Sequence, residues 1–192
     1  VYMAVNGQTG HVTLRADDYP TQGMTFPLDK RPGVTPALTA WMAEQKAATN
    51  RQIYMLTAVS GADSMRVRAI AVDWETDPTV FSRDTWKIDG EVPSEASQGV
   101  LVANGLAKLL EVGPGDKLVL KARTAKGALN ALPVPVAGIV NTGNFGQSGN
   151  TIFMPLALSG ELVRTTDPTH ISVLIGDRDD APEAAAAIVA AA

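Results

Sequence analysis

The chain has 192 residues and a formal net charge of −4, with 45% hydrophobic and 19% charged residues. This composition supplies a buried core and excludes a disordered, self-repelling chain. No stretch concentrates enough basic residues to neutralise a run of phosphates, so we expect no nucleic-acid partner. The chain has no cysteine, which excludes disulfides, thiolate metal clusters and cysteine nucleophiles.

Neither end of the chain carries a pattern typical of a signal peptide or a membrane helix. The longest apolar run, residues 184–192, is much shorter than the ~20 residues that cross a bilayer. Because the chain begins at Val1 without a methionine and stops inside that run, we expect both ends to have been cut from a longer protein.

The first part of the chain combines a strand, an irregular segment and a helix. Alternating apolar and polar residues predict a half-buried strand over residues 11–16. Residues 17–36 are rich in proline and glycine, which predicts an irregular excursion. Thr35 can cap a helix that begins at Pro36, and an apolar stripe predicts that this helix continues to about Ala48.

The middle of the chain begins with a hairpin pattern, because residues 53–59 and 65–72 are rich in β-formers and are joined by turn residues. Residues 77–99 are expected to cross the fold, with a helical turn near residues 80–82. The later predicted elements are a strand at 100–102, a helix at 106–110 capped by Gly113, strands at 117–123, 134–139 and 151–154, a helix at 156–163, a strand at 171–175, and a helix at 182–191 capped by Asp180. This mixture of helices and strands predicts an α+β fold.

The strands at 117–123 and 134–139 are predicted to form a second hairpin around a polar tip, residues 124–130. Pro133 and Pro135 lie two residues apart on the return strand and lack backbone donors. Their spacing favours a sheet edge. We therefore expect this hairpin to project freely.

No motif in the chain indicates catalysis or cofactor binding. The glycine-rich residues 143–149 lack the Lys and Ser or Thr of a phosphate loop and precede a strand, which favours a plain connection. The acidic residues at 177–183 lack calcium-loop spacing and are explained by a helix N-terminus. His11 and His170 have no nucleophile or carboxylate at motif spacing, so we expect no enzyme, metal or cofactor.

The tryptophans leave one alternative function open. Trp41 belongs to the helix stripe and is expected in the core, whereas Trp74 and Trp86 are candidates for an aromatic platform. The alternative is therefore a free-standing secreted module that binds a sugar or a peptide. A hydrolase would have only His11 and scattered carboxylates to use.

An ordered set of segments occurs between Trp86 and Val140. Ile88-Asp89-Gly90 is followed by Gly-Val-Leu-Val-Ala-Asn-Gly-Leu-Ala-Lys-Leu-Leu at 99–110 and by Val-Gly-Pro-Gly-Asp-Lys-Leu-Val-Leu at 112–120. In this order they resemble the MacB-like periplasmic core domain of ABC-transporter permeases, a family with macrolide-efflux, lipoprotein-releasing and FtsX-type cell-division members. Segments at 10–14, 71–73, 136–143 and 152–157 continue the resemblance over nearly the whole chain.

The resemblance implies a non-catalytic extracytoplasmic domain held between the first and second of four membrane helices. Residues 1–60 and 160–192 would form a porter-like α/β subdomain, and residues 61–159 an inserted β-rich, sabre-like subdomain. The implied partners are the chain's own membrane helices, a cytoplasmic ABC ATPase, a second permease subunit, and a periplasmic lipoprotein, chaperone or adaptor. Such a domain lies at the periplasmic or extracellular face of the bacterial cytoplasmic membrane, as part of an integral membrane protein, and passes on ATP-driven movement.

The resemblance also suggests where partners are contacted. In one lipoprotein-releasing type, the hairpin that corresponds to residues 118–136 is elongated into a hook that captures a chaperone. Here the tip is short and polar, so we predict a contact loop instead. The partner-contact candidates are Arg123, Lys126 and Leu129 at the tip, and Met24, Phe26 and Leu28 in the irregular segment, for which a strap over the core is the alternative.

Overall fold

A computed structural model describes residues 2–4, 12–20, 26–143, 149–177, 179–180 and 182–184. The strands are β1 Tyr2–Ala4, β2 Val12–Arg15, β3 Ala47–Ser60, β4 Asp63–Val72, β5 Lys87–Gly90, β6 Val100–Ala103, β7 Lys117–Arg123, β8 Leu129–Asn141, β9 Thr151–Pro155 and β10 His170–Leu174. The helices are α1 Pro36–Ala43, α2 Asp77–Val80, α3 Asn104–Leu109 and α4 Leu156–Val163. This mixture of elements agrees with the predicted α+β class.

The strands form one ten-stranded sheet, part of which closes into a ring. β3 pairs with β4, β4 with β9, β9 with β6, β6 with β8, β8 with β7, and β7 again with β3. β10, β2 and β1 extend the sheet from β3, and β5 extends it from β8. Because alternate side chains of a strand point to opposite faces, the ring strands have an interior and an outer face.

The interior of the ring holds the largest apolar core. Leu56 and Ala58 of β3 and Leu118 and Leu120 of β7 are buried there. Helices α3 and α4 add Leu106, Leu158, Leu162 and Val163 to the same cluster. Burial of this apolar surface is the main source of stability of the fold.

Two smaller cores lie outside the ring. At the chain ends, β2 and β10 bury Val12, Leu14 and Val173 against Leu38 of α1, with Trp41 packed beside them as predicted. On the outer face of the ring, Ile70, Val72, Leu101, Val140 and Phe153 are covered by Trp74, with Trp86 and Ile88 packed against them.

Local sequence signals place several elements where they are observed. The Thr35 hydroxyl accepts a hydrogen bond from the Leu38 amide at 3.2 Å, which is the predicted N-cap of α1. β3 and β4 form the predicted antiparallel hairpin. Helix α4 has the predicted bounds, and residues 182–184 are helical, with the Ala184 amide bonded to the Asp180 carbonyl at 2.9 Å.

The predicted end of α1 is wrong. The helix stops at Ala43, and the chain from Ala47 is already the start of β3, which pairs with β10 from Ala47 to Arg51. Strand pairing over this segment outweighs the helical preference of its alanines, because propensity is weaker than tertiary context.

Two smaller predictions also need correction. The helical turn of the crossing segment is α2, a few residues earlier than predicted. Gly113 does not cap α3: Glu111 takes the left-handed conformation, with φ of 52°, and the Val112 amide bonds to the Ala107 carbonyl at 3.0 Å. This hydrogen bond and the left-handed Glu111 end the helix, so the position that Gly113 was predicted to take is held by Glu111, two residues earlier.

Some predictions lie outside the described residues: His11, Met24, the loop residues 144–148 and the final helix beyond residue 184. Within the described parts of the chain, no helix is long and apolar enough to span a membrane. The sheet is continuous across the predicted boundary at residue 60, because β3 pairs with β4 and with β7. The division into two subdomains stays a prediction.

Candidate functional site

A cleft of about 790 Å³ opens where β3 and β7 separate. β10 pairs with β3 only as far as Arg51, and β7 joins the same edge of β3 from Thr57. Residues 52–56 of β3 therefore have no neighbouring strand on this edge. Main-chain groups of Met55 face the opening, because the β3–β4 register directs those of the even-numbered residues towards β4.

The cleft brings together most of the predicted contact residues. Phe26 and Leu28 line it from the irregular segment, and Arg123 and Leu129 line it from the hairpin. Lys126 is exposed at the hairpin tip but does not line the cleft. Met24 lies outside the described residues.

The irregular segment is fastened at the cleft by polar contacts. Phe26 and Leu28 are half-buried and pack against the interior core, as expected of a strap. The Arg31 guanidinium donates to the Leu28 carbonyl at 3.2 Å and forms an ion pair with Asp167. Lys30 forms a second ion pair with Asp18. The strap therefore forms one wall of the cleft.

The hairpin tip is a compact turn. The Thr124 amide donates to the Ala128 carbonyl at 2.7 Å, and the Gly127 amide donates to the Thr124 carbonyl at 2.8 Å. Gly127 has φ of 85°, a backbone conformation that residues other than glycine rarely adopt. The Arg123 guanidinium donates to the Gly127 carbonyl at 3.0 Å, so one predicted contact residue also closes its own turn.

The hairpin is fastened to α4, so the prediction that it projects freely is wrong. The Ala125 amide donates to the Val163 carbonyl at 2.9 Å, and the Asn130 side chain donates to the carbonyls of Glu161 and Leu162 at 3.1 and 2.8 Å. The last carbonyls of a helix have no partners inside the helix, and here the hairpin supplies the hydrogen-bond donors. Three hydrogen bonds therefore connect the hairpin to the C-terminal end of α4.

A buried polar network lies beneath the cleft. The Ser159 hydroxyl donates to the Gln52 side-chain oxygen at 2.7 Å and accepts from the Tyr54 hydroxyl at 2.9 Å. The Gln52 amide donates to the carbonyls of Thr165 and Asp167 at 2.9 and 2.8 Å. Burial raises the pKa of Tyr54 above its ordinary value, which keeps the phenol neutral as a donor. The network joins β3 to α4 and to the segment that holds the strap.

A second buried polar cluster sits at the other end of β3. Asp77 accepts two hydrogen bonds from Arg51, at 2.6 and 3.0 Å, and one from Arg83 at 2.9 Å. The Arg51 guanidinium carbon lies 3.4 Å from the ring centre of Phe81. The Asp77 side chain is 1% exposed, so this carboxylate is essential to balance two largely buried cations.

The two tryptophans of the alternative function do not form an open platform. The Arg83 guanidinium carbon lies 4.3 Å from the ring centre of Trp74 and 5.0 Å from that of Trp86. Trp74 is 8% exposed, and Trp86 packs against Phe153 with ring centres 4.9 Å apart. The Arg83 guanidinium therefore lies over both rings, where a sugar ring would have to stack.

His170 is buried at the start of β10. Its ring packs edge-on against Tyr19 with centres 4.9 Å apart, and its Nδ1 lies 2.8 Å from the Thr169 hydroxyl. Burial first, and the charges of Arg15 and Arg51 second, lower the pKa of His170 to about 3. An imidazole with so low a pKa is a weak general base near neutral pH.

Sequence reasoning missed the basic side chains that complete the cleft. Arg66 of β4 and Lys121 of β7 line it together with Arg123, and Asp29 of the strap is its acidic residue. The signal for Lys121 was present, since it lies two residues before Arg123 on an alternating strand. Arg66 comes to the site only through the pairing of β4 with β3, which no local pattern specifies.

Comparison with known proteins identifies the class of fold. No protein-family model matches the chain, and no curated protein matches it. The chain is similar to the extracellular domain of the noncanonic ABC-type transporter YknZ from Gram-positive bacteria. The identity is 14% over 89% of this chain and 84% of that domain, with a TM-score of 0.56.

A second solved structure gives the same result. The periplasmic region of MacB from Actinobacillus actinomycetemcomitans is 14% identical over 81% of this chain and 74% of that chain, with a TM-score of 0.54. The chain therefore has the fold of extracytoplasmic domains of ABC-type transporters. More narrowly, the resemblance to a MacB-like periplasmic domain is confirmed at the level of fold.

Proposed function

We propose that the chain is the extracytoplasmic domain of an ABC-transporter permease of the lipoprotein-releasing or MacB-like kind. The observation that carries this proposal is the fold, which two such transporter domains share over 89% and 81% of the chain. The proposed location is the periplasmic or extracellular face of the bacterial cytoplasmic membrane, within an integral membrane protein. The proposed role is mechanical, with no catalytic step.

The proposed partners follow from that role. Membrane helices of the same protein would connect the domain to a cytoplasmic ABC ATPase, and a second permease subunit would complete the transporter. A domain that passes on ATP-driven movement needs stiff parts and partner contacts that differ between two states. The closed ring of strands supplies a stiff part, and the bonds from the tip to α4 connect the cleft to it.

The cleft is the proposed contact surface for a periplasmic lipoprotein, chaperone or adaptor. Leu129 supports this assignment because it is 73% exposed and lines the cleft, where it offers an apolar surface to a partner. Leu109 of α3 offers a matched control, since it is 61% exposed but lies away from the cleft. We expect Leu129→Ser in the full protein to reduce transport and partner crosslinking, and Leu109→Ser to leave both unchanged. Equal effects of the two variants would overturn the contact assignment.

Fractionation of host cells tests the transporter assignment itself. With an antibody raised against this chain, we expect the protein to stay in the membrane fraction after a high-salt wash and to co-purify with an ATP-hydrolysing subunit after detergent extraction. Recovery from the culture medium without any ATPase would instead favour the secreted binding module. Neither result depends on which residues contact the cargo.

A further inference from the structure

The outer face of the hairpin and the adjoining strands carries cations and no described carboxylate. The register places Arg66 of β4 and Lys121 of β7 on either side of Thr57 of β3. On β7, Lys117 lies four residues before Lys121 and Arg123 lies two residues after it, so all three share its outer face. We define the basic face by Arg66, Lys117, Lys121 and Arg123, all of which are exposed.

The basic face is unpaired within the described chain. The ion pairs between described residues use Lys30, Arg31, Arg51 and Arg83, so none of them neutralises the basic face. Among the residues that line the cleft, Asp29 of the strap is the acidic one. A local excess of cations on a chain with net charge −4 favours an acidic partner, because charge complementarity speeds encounter and sets orientation.

The spacing of the cations along β7 matches the repeat of an extended polypeptide. Neighbouring strands lie about 4.8 Å apart, and alternate residues of one strand lie about 7 Å apart. The backbone positions of Arg66 and Lys121, two strands apart, are therefore separated by about 10 Å, and those of Lys121 and Arg123 by about 7 Å. Carboxylates on alternate residues of an extended chain repeat at the same distance of about 7 Å.

The surface around these cations is suited to a polypeptide. Val119 and Leu129 stand on the same outer face and offer apolar contact. The main-chain N–H and C=O of Met55 face the cleft beside Arg123, where β3 has no neighbouring strand. Main-chain groups of an extended peptide can hydrogen-bond to such an edge, whereas lipid headgroups gain no comparable pairing there.

We propose that the basic face and the adjoining cleft bind an acidic, extended segment of a partner protein. Its carboxylates pair with Arg66, Lys121 and Arg123, and its alternate apolar residues contact Val119 and Leu129. This inference specifies the chemistry of the partner in the proposed function. It rests on that function only for what the contact does in the transporter. The binding itself is a property of this chain alone.

A peptide of alternating Glu and Val residues, carrying a fluorophore, tests the proposal by anisotropy with the 192-residue chain. The matched probe has Gln in place of Glu. We expect the Glu peptide to bind at least about tenfold more tightly than the Gln peptide at low salt, and that advantage to shrink at about 0.5 M salt. Equal binding of the two probes, or binding of anionic phosphatidylglycerol vesicles but not of the Glu peptide, would overturn the proposal.

Two double variants with the same change in net charge locate the binding. Arg66→Gln with Lys121→Gln is expected to weaken Glu-peptide binding by about tenfold. Lys46→Gln with Lys108→Gln, at exposed positions away from the basic face, is expected to change it by less than about twofold. Equal losses in both doubles would refute the location. Thermal melting of each variant verifies the fold, and failure of peptide binding leaves the fractionation test of the transporter assignment standing.

Discussion

The two faces of β7 have opposite character. Leu118 and Leu120 are fully buried inside the ring, while Lys117 and Lys121 are exposed beside them on the outer face. One strand thus contributes to the main core and to the candidate contact surface. The interior determines whether the chain folds, and the outer face is free to determine what it binds, because exposed positions contribute little to stability.

The largest expected effect comes from the buried ion-pair cluster of Arg51, Asp77 and Arg83. We expect Asp77→Ala to lower the free energy of unfolding by about 4 kcal/mol, because Arg51 and Arg83 would lose their shared carboxylate. Urea unfolding measures the loss. The exposed Asp84 is the control, and Asp84→Ala should change stability by less than about 0.5 kcal/mol. Similar losses for both variants would contradict a special role for Asp77.

Adjacent residues of β7 give the sharpest test of the contrast between the two faces. Leu120→Ala removes a fully buried side chain and should cost about 3 kcal/mol of stability. Lys121→Ala, one residue away on the outer face, should cost less than about 0.5 kcal/mol. Chemical denaturation of the two variants measures both losses of stability. A loss of several kcal/mol for Lys121→Ala would show that the outer face also stabilises the fold.

The buried network beneath the cleft should have an intermediate effect. Ser159→Ala leaves the Tyr54 hydroxyl and the Gln52 side-chain oxygen without their shared partner, which should cost about 2 kcal/mol. Combining it with Tyr54→Phe should cost less than the sum of the two single changes, since both remove one interaction. Additive losses in this double-mutant cycle would mean that the network does not act as a unit.

The smallest expected effect is a dependence of stability on pH through His170. Its pKa is lowered to about 3 in the folded chain, below the ordinary value of 6.5, because burial opposes protonation. The unfolded chain takes up a proton first, so the contribution is present above about pH 6.5 and is lost as pH falls towards 3. Between about pH 7.5 and 5.5 the loss should be about 1 kcal/mol.

His170→Gln should abolish that part of the pH dependence. Urea midpoints of the wild type and the variant at both pH values provide the comparison. An unchanged slope in the variant would show that another group carries the effect.

Local signals in the sequence predicted individual helices and strands better than they predicted which strands pair. The Thr35 cap, the bounds of α4 and the alternation of β7 were predicted, because each depends on residues close in the chain. Closure of the ring depends on β7 reaching β3, and no periodicity specifies which strands pair. The early end of α1 has the same origin, since Ala47 and Ala48 have helical propensity but pair with β10 as part of β3.

The candidate site was predicted in part for the same reason. Arg123 and Leu129 were selected because the resemblance suggests a contact hairpin there, and Phe26 and Leu28 because their segment is irregular. The structure brings all four to one cleft. Arg66 was missed because it is distant in sequence from the hairpin. The Arg51–Asp77–Arg83 cluster was missed because buried ion pairs have no local pattern.

The most direct test of the account asks on which side of the membrane this chain lies in its full-length protein. These 192 residues contain no cysteine, so Lys126→Cys introduces one exposed thiol into this part of the protein, at the hairpin tip. Cells with an intact cytoplasmic membrane are treated with a membrane-impermeant maleimide, with the unmodified protein as control. An extracytoplasmic transporter domain predicts labelling of the variant without permeabilisation. Labelling only after the cytoplasmic membrane is broken would contradict the proposed function.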